Sequence, residues 1–160
     1  MKTNEQLPKF SLKASGPIKK SIEAILKRNR IKINQLIAQD EITWDNFVTP
    51  LSLLEDTLSK EWSPVRHLNS VKSSEPLREA YNDCLPLLSD YATEMSQNKA
   101  LYKGFLKISE SDNFDQLNIA QKKTIKDALK HFKLGEVDLA GNDRERYQKL
   151  QTALPELQST

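Results

Sequence analysis

The sequence predicts an all-α domain of about six helices packed in a bundle-like arrangement, and three observations carry that reading. Twenty-two leucines stand against four valines, which favours straight-chain helix formers over the β-branched residues that strands prefer. The 160 residues include only four glycines, so turns are few. Leu, Ile, Val and Phe together make up about a quarter of the chain, above the roughly 20% below which a charged sequence stays disordered. A chain of this length closes around one core, so residues 1–160 are expected to form a single domain.

Each element follows from local pattern. Residues 1–16 carry Pro8 and Gly16 without a sustained period and read as an extended lead-in. Pro17 suits the first turn of a helix, where its missing N–H costs nothing. Ile18, Ile22, Ile25, Ile33, Leu36 and Ile37 share a broad apolar face with Glu23 and Lys27 outside it, which predicts a first helix over 17–38. Thr43 is the expected N-cap before Trp44, and Phe47, Leu51, Leu54 and Leu58 step by four, three and four. Pro50 sits late for a first turn and either kinks this helix or delays its true start. Ser63-Pro64 interrupts the pattern, so 63–74 reads as a connector or an irregular helical turn.

Ser74 is the expected cap of a long helix with Pro76 in its first turn. Leu77, Tyr81, Cys84, Leu88, Tyr91 and Met95 form the cleanest apolar stripe of the chain. Pro86 falls inside it, cannot donate to the carbonyl of Asn82, and predicts a kink. Asn98 caps a short helix carrying Leu101, Tyr102, Phe105 and Ile108. Asn118 and Gln121 form a capping-box-like pair for a helix carrying Ile125, Ala128, Leu129 and Phe132, with Gly135 as its stop. A last helix is expected from near Asn142, carrying Tyr147, Leu150, Leu154 and Leu157, and it meets Thr160 without a stop signal.

Composition excludes several function classes. A single cysteine, Cys84, cannot close an intramolecular disulfide, and no run of about 18 apolar residues or signal-peptide core occurs, so a soluble, cytoplasmic protein is expected. No H-E-x-x-H, G-x-x-x-x-G-K-[ST], G-x-G-x-x-G or G-x-S-x-G motif is present. His67 has no second ligand at helical spacing and reads as a packed or capping histidine. His131 has Asp127 four residues earlier, but its place near a helix C-terminus, where an imidazolium is favoured, explains it better than a metal does. Cys84 lies within the apolar stripe beside Asp83 and reads as a buried, inert thiol. Glu55 and Asp56 share a face with Lys60 and read as solvated helix surface. No catalytic, cofactor-binding or metal-ligating residue is therefore assigned, and no cofactor is expected in this chain.

Charge is unevenly spread. Residues 1–38 hold nine Lys/Arg against Glu5 and Glu23, while the rest of the chain is net acidic. Lys19, Lys20, Lys27, Arg28, Arg30 and Lys32 are the sole candidates for phosphate contacts, and of these Lys19, Lys20, Lys27 and Arg30 fall within about one quadrant of a helix. Glu23 sits among them and no aromatic is interleaved for base stacking, so a solvated face is favoured over a nucleic-acid surface.

The stretch WSPVRHLNSVKSSEPLREAYNDCLPLLSDYATEMSQNKALYKGF at 62–105 resembles the N-terminal region of the oligopeptidase A family, zinc metallopeptidases of the thimet oligopeptidase class. TWDNFVTPL at 43–51 and LNIAQKKTIKDALKHF at 117–132 are similar to flanking parts of the same region, as are LPKF near the start and RYQKLQTALPEL near the end. The resemblance implies a longer, mostly helical enzyme whose two lobes face each other across a channel. Its zinc site, an H-E-x-x-H helix and a downstream glutamate, would lie beyond Thr160 in a chain that continues past it. It implies that these helices wall the channel opposite the zinc and limit access to short peptides, so the fragment alone is not expected to be catalytic. Oligopeptides are the implied substrates of the whole enzyme and zinc its implied metal.

Two rival readings stay open: a free-standing helical interaction module, and a nucleic-acid binder using the basic arm. No membrane partner is expected. The stripe from Tyr147 to Leu157 is expected to lose part of its cover at Thr160, favouring self-association through the last helix or fraying of its final turns.

Overall fold

A computed structural model of the chain describes residues 15–72 and 74–134. Among the described residues all regular structure is helical. Helix α1 spans Ser15–Ile37, α2 Thr49–Val71, α3 Glu75–Ser96, α4 Lys99–Ser109 and α5 Ile119–Leu134. A π-helical turn, Trp44–Val48, precedes α2, and a 3₁₀ turn, Asp112–Gln116, separates α4 from α5. The lead-in, the Gly135 stop and the last helix expected from Asn142 lie outside the described residues.

Helix starts follow the sequence closely. Thr43 Oγ1 accepts from the Asn46 N–H at 3.3 Å while the Thr43 N–H donates to Asn46 Oδ1 at 2.8 Å, a reciprocal box that satisfies two otherwise orphaned donors. Asn98 Oδ1 accepts from the N–H groups of Ala100 and Leu101, both at 3.0 Å. Asn118 and Gln121 close a second reciprocal box at 2.9 and 3.0 Å. Ser74 occupies the cap position of α3, yet its side chain makes no capping hydrogen bond. Of the two outcomes open for Pro50, the delayed start is the one observed: α2 begins at Thr49 with Pro50 in its first turn, and the π-helical turn takes up the chain before it.

Residues 63–74, expected as a connector or an irregular helical turn, are instead largely regular helix, for α2 runs through Pro64 to Val71. Pro64 removes the bond to the Lys60 carbonyl, at a cost of about 3 kcal/mol in a helix interior. Pro64 and Val65 are buried, and Leu68 packs against the core. At roughly 1.5–3 kcal/mol for each large apolar side chain removed from water, this burial outweighs the missing bond.

Helix α1 lies against both α2 and α3, and α4 and α5 pack against each other. The fully buried residues of α1 are Ile18, Ile22, Leu26, Asn29 and Ile33, a stripe stepping by four, four, three and four. In α3 the predicted stripe divides: Leu77, Cys84 and Tyr91, seven apart, are buried, while Tyr81, Leu88 and Met95 are half-buried on its flank. Phe47 and Ile125 are wholly enclosed, and Phe105 meets Phe47 edge-on with ring centroids 5.4 Å apart.

Candidate functional site

A groove of about 670 Å³ lies between α2, α3 and α5, floored by α1 and α4. Its walls are Leu51, Leu54 and Leu58 of α2, Leu88 and Met95 of α3, and Ala128 and Phe132 of α5. The helical periods place these residues one turn apart on α2 and α5 and two turns apart on α3, so each wall is a row of apolar side chains. Helix α5 is held mainly by α4, which leaves the space between it and the α2–α3 pair open.

Its ionisable lining includes Glu55 of α2 with Asp127 and His131 of α5, and Ser52, Ser96 and Thr124 line it as well. Partial desolvation by the apolar walls pushes the Glu55 carboxyl above its ordinary value, and the positive charge of His131 opposes that shift. Asp127 is engaged by Lys123 one turn earlier, with Nζ to oxygen distances of 2.8 and 3.0 Å. Beneath the floor, Asn29 is buried on the apolar face of α1 and its Nδ2 donates to the Leu54 carbonyl at 3.4 Å, while its Oδ1 has no partner. The Tyr91 hydroxyl is pushed up by burial and drawn back by a hydrogen bond with Asn29 and by the nearby Arg30. The Arg30 guanidinium lies 5.3 Å from the centre of the Tyr91 ring and pairs with Glu94 at 2.7 Å.

The residues weighed for chemistry are not brought together. His67 is exposed on α2, His131 is exposed in the last turn of α5, and Cys84 is enclosed on α3. Burial and the adjacent Asp83 carboxylate both raise the Cys84 thiol, which opposes formation of a nucleophilic thiolate. Among the described residues no three His, Cys, Asp or Glu side chains lie close enough to hold a metal ion. Asp56 pairs with Lys60 at 2.7 Å as surface residues do, and Glu55 is likewise exposed, with its carboxyl bordering the apolar groove. The basic set is partly consumed by α3: Lys19 pairs with Asp83 at 3.1 Å and Arg30 with Glu94. No helix among the described residues is long and apolar enough to cross a membrane.

Sequence reading passed over Leu26 and Asn29 as core positions and the groove as a feature. Leu26 could have been found from the four-residue step after Ile22. An asparagine on an apolar face gives no such signal, and a groove whose lining runs from Ile33 to Phe132 leaves none in any local window.

Comparison with known proteins adds what local geometry does not hold. Residues 22–144 match the family model of the neurolysin/thimet oligopeptidase N-terminal domain. The chain belongs to that family. It is 42% identical over 153 residues to oligopeptidase A of Haemophilus influenzae and 39% identical over 153 residues to oligopeptidase A of Escherichia coli, matches that take in 96% and 95% of this chain. Oligopeptidase A of Salmonella typhimurium is 36% identical over 156 residues, or 97% of the chain. The chain spans only 22–23% of the length of these relatives. The resemblance seen in the sequence is thus established over nearly the whole chain, as an N-terminal domain of the neurolysin/thimet oligopeptidase kind.

Proposed function

We propose that this chain is the non-catalytic N-terminal lobe of an oligopeptidase A-like, cytoplasmic zinc metallopeptidase, and that it walls the channel through which short peptides reach the metal. The observation that carries the reading is the match of 96% of the chain to 22% of an oligopeptidase A. Zinc does not fit the donors present here. The sequence holds two histidines, His67 and His131, on separate helices, and the described residues offer no cluster of ligands. The metal and the bond-breaking step belong to the rest of the enzyme, and this lobe's contribution is steric. A wall of packed helices admits extended peptides and rejects folded domains. The basic-arm alternative is weaker, because two of its six cations are tied to carboxylates of α3.

A domain exchange tests this reading. Residues 1–160 of this chain replace the matching segment of the Escherichia coli relative, and the chimera is assayed on a short internally quenched peptide and on a folded protein. The expected outcome is cleavage of the peptide alone, with no turnover by the isolated chain. A chimera that melts cooperatively yet cleaves the folded protein, or an isolated chain that hydrolyses the peptide when given zinc, would overturn the proposal.

A further inference from the structure

Helix α5 is held mainly by α4 and presents three faces. Ile125 and Phe132 are buried, and Thr124, Asp127, Ala128 and His131 line the groove. The remaining face carries the five lysines of the helix, Lys122, Lys123, Lys126, Lys130 and Lys133. At 3.6 residues per turn they fall within a sector of about 100°, on the side away from Ile125 and Phe132. The result is a ridge of positive charge along the helix.

One end of the ridge already holds an acidic segment. Asp115, in the 3₁₀ turn before α5, meets Lys122 with an Oδ1 to Nζ distance of 3.3 Å, and the same ammonium lies 5.7 Å from the centre of the Phe114 ring. Lys123 is taken by Asp127 of its own helix. Lys126, Lys130 and Lys133 are exposed and have no carboxylate partner among the described residues. Two large apolar side chains bound the same face in water, Ile119 at 87% exposure and Leu134 at 67%.

Spacing and chemistry select the occupant. Lys126 and Lys130 are about 6 Å apart along the axis, and Lys130 and Lys133 about 4.5 Å. An extended chain sets every second side chain on one side at intervals of about 6.6–6.8 Å, a mismatch that the flexible lysine stem absorbs. Ile119 and Leu134 are about 22 Å apart along the axis, the span of about seven extended residues. Nucleic acid is served less well: α5 has no arginine for bidentate phosphate contacts, its one phenylalanine is buried, and bases find no ring on this face to stack on.

We propose that the lysine face of α5 is a docking site for an extended acidic peptide segment of another protein, with carboxylates at alternate positions and apolar residues at its ends. Such a segment continues along Lys126, Lys130 and Lys133 the contact that Asp115 and Phe114 make with Lys122. The inference goes beyond the steric role of the lobe, and binding to this chain alone, without cleavage, reports on it separately.

Fluorescence anisotropy with the 160-residue chain tests it. The probe is a labelled peptide of alternating glutamate and serine, with leucine in place of the first and last glutamate. Two variants remove equal charge, K126A/K130A/K133A from α5 and K20A/K27A/K32A from α1. All the substituted lysines are exposed, so both variants are expected to fold, which melting curves check. At low salt the unsubstituted chain should bind the peptide, the α5 variant on the order of tenfold more weakly, and the α1 variant within about twofold of the unsubstituted chain. Added salt should weaken binding as the pairs are screened, and a peptide with serine for both leucines should bind more weakly. Absence of binding, or equal weakening in the two variants, would overturn the proposal, the second by reducing the effect to net charge. Undiminished binding of the leucine-free peptide would also overturn it. A single-stranded oligonucleotide of equal charge that binds more tightly than the peptide, and is released by the α5 substitutions, would overturn it by assigning the ridge to nucleic acid.

Discussion

Gly104 shows how one missing side chain shapes the core. A Cβ built there would run into the Phe47 ring, 2.9 Å from Cε1 and Cε2 and nearer still to Cζ. Phe47 is wholly enclosed and braced by Phe105, so the ring has no room to move aside. Glycine in a helix ordinarily costs about 0.5–1 kcal/mol relative to alanine, but overpacking a filled core costs about 1–3 kcal/mol. Gly104→Ala is therefore expected to destabilise by about 1–2 kcal/mol, read as a lower urea midpoint at unchanged slope. A rise in midpoint would show that Phe47 yields. Cys84 gives a second test at this scale. Its thiol is enclosed and raised by burial and by Asp83, so at pH 7–8 the thiolate is scarce and a reagent reaches it only when the helix opens. Labelling by a thiol reagent at pH 8 should be orders of magnitude slower than in urea, and a fast native reaction would contradict the assigned core face.

At the scale of the helix, α3 separates positions that spacing alone treats as equal. Leu88 is half-buried on the groove and Cys84 is wholly buried, although both lie in the same seven-residue stripe. An aspartate at Cys84 places an unpaired charge in the core and should cost upward of about 3 kcal/mol, whereas one at Leu88 can reach the groove mouth and should cost less. Lys99→Asp, on the exposed first turn of α4, should stay within about 0.5 kcal/mol. Chemical denaturation of the three variants checks the order, and equal midpoints for Cys84 and Leu88 would show that the groove is already sealed. The caps at Thr43, Asn98 and Asn118 were legible because capping is a local contest between a side chain and the nearest backbone donors. The passage of α2 through Pro64 was not, because its compensation comes from Val65 and Leu68 packing against other helices. Glu55 reads as surface from its neighbours Asp56 and Lys60 and is exposed, but that it borders a groove depends on α5 and leaves no local signal.

Taken as a whole molecule, the domain distributes its charge so that α1 is anchored to α3 through the pairs Lys19–Asp83 and Arg30–Glu94. Exposed pairs of this kind contribute about 0–1 kcal/mol each, so they orient the helices more than they hold them. The same arrangement bears on metal. Tight zinc binding needs about four donors converging on one point, and here His67 belongs to α2, His131 to α5 and the enclosed Cys84 to α3. Bringing them together would require unfolding the packing between those helices, which zinc binding would have to repay in full. The isolated chain is therefore expected to hold far less than one zinc per molecule after dialysis against buffer, with a melting temperature unmoved by added zinc or by a chelator. A chelator-sensitive melt with one retained zinc would mean that donors outside residues 15–134 complete a site, and would contradict the proposal that this segment is non-catalytic.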